Sequence, residues 1–192
     1  MASNPLPQKW TVEEYLAYEE EMDTRYEYID GEVVAMSGGT DKHSLIIANI
    51  TGSLWQPLRK SPCRVYSSDM RIKVSQSKYL YPDLSVVCGQ AQFDEDNHTT
   101  LTNPTLVIEV TSPSSESYDK GIKAEYYRNL PSVKAYLVID QHQMKAQLFL
   151  RQTDSWLLTQ YDELKQSIPL PFVDYNLPLR DIYFDIELEN DR

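Results

Sequence analysis

The chain has 192 residues, of which 41% are hydrophobic and 24% are charged, and it contains 14 tyrosines. These values are typical of a single globular domain and exclude a largely disordered chain. The formal net charge of −11 disfavours a protein that coats nucleic acid through a broad basic surface. It still permits an enzyme whose site is neutralised by metal cations.

The sequence shows no pattern typical of a signal peptide, a membrane span or a cysteine-based site. Residues 1–9 contain no apolar run typical of a signal peptide, and no segment approaches the roughly 20 apolar residues needed to cross a bilayer. We therefore expect a cytoplasmic protein with no membrane partner. Cys63 and Cys88 lie on separate predicted strands without the spacing of a zinc site or a disulfide framework, which predicts reduced, partly buried thiols.

The first third of the chain predicts a helix, a hairpin and a second helix. Thr11 and Glu14 have the spacing of a capping box, which starts a short helix. Residues 26–36 form two extended segments around Asp30-Gly31, a strong hairpin signal. Between Asp41 and Lys60, apolar positions recur every three or four residues and predict a helix. This stripe consists of His43, Ile47, Ile50, Leu54 and Leu58.

The remainder predicts sheet strands separated by one more helix. Strands are expected at 64–67, 70–74, 81–88, 106–110 and 135–140, a polar loop at 89–103, a helix at 118–130, and peripheral strands around 148–150 and 156–158. This order indicates a mixed α/β (α+β) fold with a central mixed sheet flanked by helices. We expect one domain at 11–185 between flexible ends at 1–10 and 186–192.

Glu109 is the most informative residue, because it interrupts the apolar run Leu106-Val107-Ile108-Glu109-Val110. An ionisable side chain inside a buried strand is costly unless it is paired or bound to metal. Asp83 opens the preceding strong strand after Pro82, so neighbouring strands could bring the two carboxylates together. Two hard oxygen ligands suit Mg²⁺ or Mn²⁺, and such a site supports phosphodiester hydrolysis.

The pair Pro82-Asp83 followed by Glu109 resembles the signature of PD-(D/E)xK nucleases. The lysine of that signature stands two residues after the glutamate, where this chain has Thr111. The following helix offers Lys123 instead, because Asp119, Lys123 and Tyr127 are spaced by four and share a helical face.

The wider pattern is similar to the Uma-type family of inferred restriction endonucleases, from about residue 11 to residue 183. It comprises Glu27, Asp30-Gly31-Glu32, His43, Pro82-Asp83, Glu109, Ser112-Pro113-Ser114, Asp119, Lys123 and Tyr127. The resemblance implies a restriction-endonuclease-like core, metal-dependent cleavage of DNA and a homodimer. It implies that Asp83 and Glu109 bind metal and that Lys123 orients or activates water, with Glu32, His43 and Asp119 as supporting residues.

Each of these residues also has a structural interpretation. Asp83 could fix a turn after Pro82, and Glu109 could form an ion pair with Lys123 or Arg71. Lys123 could pair with Asp119 on the helix surface. His43 could be a core or helix N-terminal histidine, and Glu32 could merely flank the hairpin turn.

Two functions remain open from the sequence. The first is a Mg²⁺-dependent endodeoxyribonuclease that uses Asp83, Glu109 and Lys123. The second is a nuclease-fold binding or regulatory protein that has lost turnover, which Thr111 and the acidic composition favour. A two-carboxylate glycosidase does not explain the lysine, and the serines at 112–115 lack the context of a serine hydrolase.

Overall fold

A computed structural model describes residues 9–36, 38–94, 97–112 and 115–188. Its helices are α1 (Val12–Glu21), α2 (Asp41–Leu58), α3 (Glu116–Tyr118), α4 (Ala124–Asn129) and α5 (Leu179–Ile182), with a π-helical segment (Asp119–Lys123) between α3 and α4 and a 3₁₀ turn at Pro171–Val173. Its strands are β1 (Tyr26–Ile29), β2 (Glu32–Ala35), β3 (Cys63–Ser67), β4 (Arg71–Ser75), β5 (Lys78–Leu80), β6 (Leu84–Cys88), β7 (Phe93–Asp94), β8 (Asn97–Leu101), β9 (Leu106–Thr111), β10 (Ala135–Asp140), β11 (Ala146–Arg151), β12 (Trp156–Tyr161), β13 (Ser167–Leu170) and β14 (Tyr175–Pro178).

The central sheet has the strand order β12-β11-β10-β9-β6-β3, and β9 pairs in parallel with β10 and antiparallel with β6. Side chains of β9 alternate between its two faces. Leu106, Ile108 and Val110 belong to the core under α2, whereas Val107 belongs to the core under α4. Glu109 therefore faces the side of the sheet that is covered by the π-helical segment and α4.

A second sheet, of order β2-β1-β5-β4-β8-β7, lies beside the first and packs against α1. An aromatic cluster of Tyr15 from α1, Tyr28 from β1 and Tyr79 from β5 fills this contact, and all three residues are nearly inaccessible to solvent. Arg71 of β4 lies against this cluster, 2% exposed, and pairs with Glu19 of α1. The pair joins the first helix to the sheet.

Most predicted elements are confirmed. The capping box of Thr11 and Glu14 is present, the hairpin turns at Asp30-Gly31, and both residues of that turn have positive φ angles. β10 has the predicted bounds, and the mixed α+β architecture is confirmed. Pro113-Ser114 lies outside the described residues, and the predicted flexible ends lie partly outside them.

Two predictions about local structure are wrong. The segment 89–103 is not only a loop, because β7 and β8 form there; β8 pairs with β4, and β7 pairs with β8 at the edge of the second sheet. The expected straight helix at 118–130 is interrupted by the π-helical segment, in which Gly121 has non-helical angles (φ −95°, ψ −106°). Among the described residues, no helix is long and apolar enough to span a membrane.

The prediction of reduced thiols is also wrong, because Cys63 and Cys88 form a disulfide. The two residues face each other in the antiparallel pairing of β3 with β6, with Cα atoms 3.9 Å apart. The sequence placed them on separate strands but gave no pairing register, and it is the register that brings the two sulfur atoms together.

The Arg71–Glu19 pair generates a stability prediction. Arg71→Met leaves the carboxylate of Glu19 buried without its cation, so we expect the free energy of unfolding to fall by about 3–5 kcal/mol. The control is Arg25→Met, which breaks the exposed Arg25–Asp69 pair and should cost less than about 1 kcal/mol. Urea unfolding of both variants measures the difference, and equal losses would contradict this account.

The disulfide generates a second stability prediction. The bond closes a loop of 25 residues, so its reduction should lower the free energy of unfolding by about 3 kcal/mol. A variant with serine at both positions should unfold identically with and without dithiothreitol. Titration of free thiols in the denatured, unreduced protein is the direct check, and finding two of them would refute the bond.

Candidate active site

A cavity of about 430 Å³ opens where β6 begins and β9 ends. Its walls include the β1–β2 hairpin, the N-terminus of α2, the π-helical segment and the residues that follow β10. Among the described residues, four carboxylates and one lysine line it: Glu27, Asp83, Glu109, Asp119 and Lys123. Five of the six site residues predicted from the sequence therefore line this cavity: His43, Asp83, Glu109, Asp119 and Lys123.

Asp83 and Glu109 are brought together by strand pairing. Leu84 is paired with Ile108 in the antiparallel register of β6 and β9, so Asp83 stands opposite Glu109 at the end of the ladder. The backbone N–H of Val110 donates to Oδ2 of Asp83 at 2.7 Å. This hydrogen bond fixes the Asp83 carboxylate against the strand that carries Glu109.

Lys123 reaches the same place from the π-helical segment. Its Nζ lies 2.9 Å from Oε1 of Glu109 and 3.0 Å from Oε1 of Glu27, and it donates to the carbonyl oxygen of Tyr81 at 3.2 Å. Asp119 lies farther away, with Oδ1 at 4.0 Å. The structure thus joins Lys123 to Glu109, and Arg71, the alternative partner considered for Glu109, pairs with Glu19 instead.

The burial pattern of the interrupted helix explains this arrangement. Asp119, Lys123 and Tyr127 are each 5% exposed or less, so the three residues share the buried face that their spacing predicted. Thr111, at the position of the missing motif lysine, is 1% exposed and lies two residues after Glu109 on β9. A lysine there and Lys123 from the helix approach the same face of the sheet.

His43, in the first turn of α2, contacts Asp83, the candidate metal ligand. Its Nε2 lies 3.2 Å from Oδ2 of Asp83, and Thr40 caps α2 by accepting a hydrogen bond from the His43 backbone N–H. Gly39 lies directly against the ring, because a Cβ atom at this position would stand 2.5 Å from Nδ1 of His43. The absence of a side chain at position 39 therefore makes room for the imidazole.

The electrostatics reflect an excess of buried negative charge. Burial raises the pKa of Glu109 well above its usual range, and the charges of Asp83 and Asp119 act in the same direction. Burial also raises the pKa of Asp119. Burial alone would lower the pKa of Lys123, but the carboxylates of Glu109 and Glu27 outweigh it and raise that pKa. The hydrogen bond to Asp83 raises the pKa of His43.

Glu32, predicted as a supporting residue, is not brought to the site. It is exposed at the start of β2 and lies outside the cavity lining. Glu27 lines the cavity in the supporting position that was expected of Glu32. Oε1 of Glu27 accepts a hydrogen bond from the backbone N–H of Tyr81 at 3.2 Å, and its Oε2 accepts one from the hydroxyl of Tyr118 at 3.0 Å. Glu27 is 6% exposed. Its available sequence signal was its place in the pattern that resembles the Uma-type family.

Two further cavity residues were missed by the sequence analysis. Tyr118 precedes the π-helical segment and hydrogen-bonds Glu27. Gln141 follows β10 and is 2% exposed. Neither belongs to a recognisable spacing, because each reaches the cavity through the arrangement of distant elements.

The carboxylates could supply part of the coordination shell of a divalent cation but not all of it. Among the described residues, no three His, Cys, Asp or Glu side chains are grouped as a ready-made metal centre. Mg²⁺ in phosphoryl-transfer sites commonly takes one or two carboxylates and completes its octahedron with water and phosphate oxygens. Asp83 and Glu109, adjacent on paired strands, supply such a donor set.

The sequence of the chain matches a known family over most of its length. Residues 12–180 match the Uma2 family, described as "Putative restriction endonuclease". The chain belongs to the Uma2 family. It is 36% identical to the uncharacterized protein slr1290 of Synechocystis over 177 residues, which cover 88% of this chain and 91% of that protein. It is 32% identical to the uncharacterized protein sll1609 of the same organism over 152 residues, 78% of this chain and 86% of that one.

A solved structure has the same fold as this Uma2 member. It is the crystal structure of a putative nuclease belonging to DUF820 from Anabaena variabilis, with a TM-score of 0.71 and 18% sequence identity. The match covers 90% of this chain and 97% of the other. The predicted family and fold class are therefore confirmed.

The contact between Gly39 and His43 generates a prediction. Gly39→Ala should push the imidazole away from Asp83, so the pKa of His43 should fall toward the ordinary histidine value of about 6.5. NMR titration of the metal-free protein measures this change. Gly38→Ala is the matched control, because nothing lies within 4 Å of a Cβ at that position. An unchanged His43 titration in Gly39→Ala would contradict the assigned contact.

Proposed function

We propose that this Uma2 protein is a metal-dependent endonuclease that hydrolyses phosphodiester bonds of DNA. Membership of a family described as "Putative restriction endonuclease" supports the reaction class, and the fold shared with a protein titled "a putative nuclease" agrees with it. The observation that carries the proposal is the convergence of Asp83, Glu109 and Lys123 on one cavity.

The charge of the cavity supports the need for a cation. Among the described residues, four carboxylates face one lysine there, and burial, together with neighbouring carboxylates, raises the pKa of Glu109 and of Asp119. A phosphodiester is itself an anion and would be repelled by this wall. A divalent cation held by Asp83 and Glu109 removes the conflict.

Asp83 and Glu109 would hold Mg²⁺ or Mn²⁺. When bound, the ion would lower the pKa of a coordinated water and stabilise the charge that develops on the phosphate. The Val110 N–H and His43 would keep the Asp83 carboxylate in position, since both contact its Oδ2 atom.

Lys123 would act as a cation and hydrogen-bond donor. Its raised pKa keeps the ammonium group protonated at neutral pH, so it cannot serve as a general base without first losing a tightly held proton. It is suited to orient water and to stabilise phosphate charge. Glu27, Asp119 and the Tyr81 carbonyl would fix the position of the ammonium group.

The proposal includes two features of assembly and location. Two copies of the chain would form a homodimer, because paired sites suit the cleavage of both strands of a duplex. The protein would act in the cytoplasm, where it has access to DNA. Sedimentation analysis of the purified protein tests the first of these features.

The nuclease proposal predicts a loss of DNA cleavage in site variants. Asp83→Asn, Glu109→Gln and Lys123→Met should each reduce cleavage of supercoiled or single-stranded DNA by on the order of 100-fold or more, because each removes a charge needed at the reacting phosphate. Cleavage should require Mg²⁺ or Mn²⁺ and stop on addition of EDTA.

The control for these variants is Glu32→Gln, which removes a carboxylate outside the cavity and should keep the activity of the unaltered protein. Thermal unfolding of each variant separates a lost reaction from a lost fold. DNA binding without cleavage by the unaltered protein, across both metals and both substrates, would favour a nuclease-fold binding protein that has lost turnover.

A further inference from the structure

Gln141 is a buried polar residue in the wall of the cavity to which the proposed reaction assigns no role. It follows β10 directly, its backbone N–H donates to the carbonyl oxygen of Thr111 at 3.2 Å, and only 2% of the residue is exposed. β10 is the parallel neighbour of β9, which carries Glu109. The backbone of Gln141 is thus fixed next to the catalytic strand.

The side chain of Gln141 is held at one end only. The hydroxyl of Thr40 donates to Oε1 of Gln141 at 2.5 Å, while the same hydroxyl accepts from the backbone N–H of His43. The Gln141 amide nitrogen has no hydrogen-bond partner among the described residues, although the residue lines the cavity. The nitrogen is open to the cavity and is therefore available to donate to an acceptor on a ligand.

The N-terminus of α2 lies beside this amide. The helix has 18 residues, and Gly38, Gly39 and Thr40 at its entrance line the cavity. The positive end of a helix dipole and unhindered glycine backbone favour the approach of an anion. Asp41 in the first turn opposes this effect, but its side chain is exposed and lies outside the cavity lining.

We propose that Gln141 and the N-terminus of α2 form a phosphate subsite of the cavity. The amide nitrogen of Gln141 donates a hydrogen bond to a non-bridging oxygen of a nucleic-acid phosphate next to the one that is cleaved. This inference rests on the nucleic-acid substrate proposed above and adds a contact that the metal ligands and Lys123 do not supply.

The distribution of charge in the cavity favours a phosphate as the acceptor. The four carboxylates of the cavity, Glu27, Asp83, Glu109 and Asp119, are hydrogen-bond acceptors. They could therefore contact a second phosphate only through a metal ion. Lys123 is already surrounded by Glu109, Glu27 and the Tyr81 carbonyl. An amide N–H cannot bind a cation, so the Gln141 side of the cavity is suited to the anionic backbone of the substrate.

Two isosteric changes separate this role from a structural one. Gln141→Glu keeps an oxygen that accepts from Thr40 but replaces the donor with a negative charge, whereas Gln141→Met removes both functions. If Gln141 binds phosphate, Gln141→Glu should weaken substrate binding more than Gln141→Met does. If Gln141 only holds Thr40 in place, Gln141→Glu should be tolerated and Gln141→Met should not. Gln143→Glu adds the same charge at an exposed residue outside the cavity and is the matched control.

The measurement is the Kd of a fluorescent oligonucleotide in Ca²⁺ or EDTA, together with kcat and KM for its cleavage in Mg²⁺ or Mn²⁺. We expect Gln141→Glu to raise Kd and KM at least about tenfold, Gln141→Met to raise them less, and Gln143→Glu to change them less than about twofold. Equal Kd values for Gln141→Glu and the unaltered protein would overturn the subsite while leaving the nuclease proposal intact.

A modified substrate tests the same contact without relying on how a variant folds. Oligonucleotides with a single neutral methylphosphonate, placed in turn at each position around the cleaved bond, should bind the unaltered protein more weakly at one position. That penalty should disappear in Gln141→Met, and the same penalty in both proteins at every position would overturn the subsite. Binding without cleavage would refute the nuclease function, and the Kd order would still decide the subsite; no oligonucleotide binding at all would overturn both.

Discussion

The ion pairs of Lys123 are the interaction on which the site depends. One buried ammonium group holds Glu27 of the hairpin and Glu109 of the central sheet, and it also binds the carbonyl of Tyr81 at the junction of the two sheets. Without this cation, several buried carboxylates would share a space of low dielectric constant, where a charge left without its partner is strongly destabilising. The same interaction therefore joins the sheets and assembles the cavity.

The proposed metal site would reconcile an acidic protein with a polyanionic substrate. The net charge of −11 disfavours broad contact with DNA, and the structure concentrates part of that charge around one lysine. A metal ion at Asp83 and Glu109 would convert this local repulsion into attraction for a phosphate. The affinity for substrate would then depend on the metal and on a few hydrogen-bond donors rather than on a basic surface.

Local sequence signals predicted much of the fold and part of the site. The carboxylate inside β9 identified Glu109, and helical spacing identified Lys123 with its buried face, even though the helix is interrupted at Gly121. The features that the sequence did not predict are those that depend on strand register and long-range packing. Cys63 and Cys88 meet only because β3 and β6 pair in one register, and Gln141 reaches Thr40 across 101 residues of sequence.

In the proposed site, Asp83 and Glu109 together bind a divalent cation. Anomalous diffraction from crystals soaked in Mn²⁺ would locate such an ion without requiring turnover. We expect a peak coordinated by both carboxylates, which is lost in Glu109→Gln while the fold is retained. Crystals of the unaltered protein with no manganese at this pair, or with manganese bound elsewhere in the cavity, would contradict it.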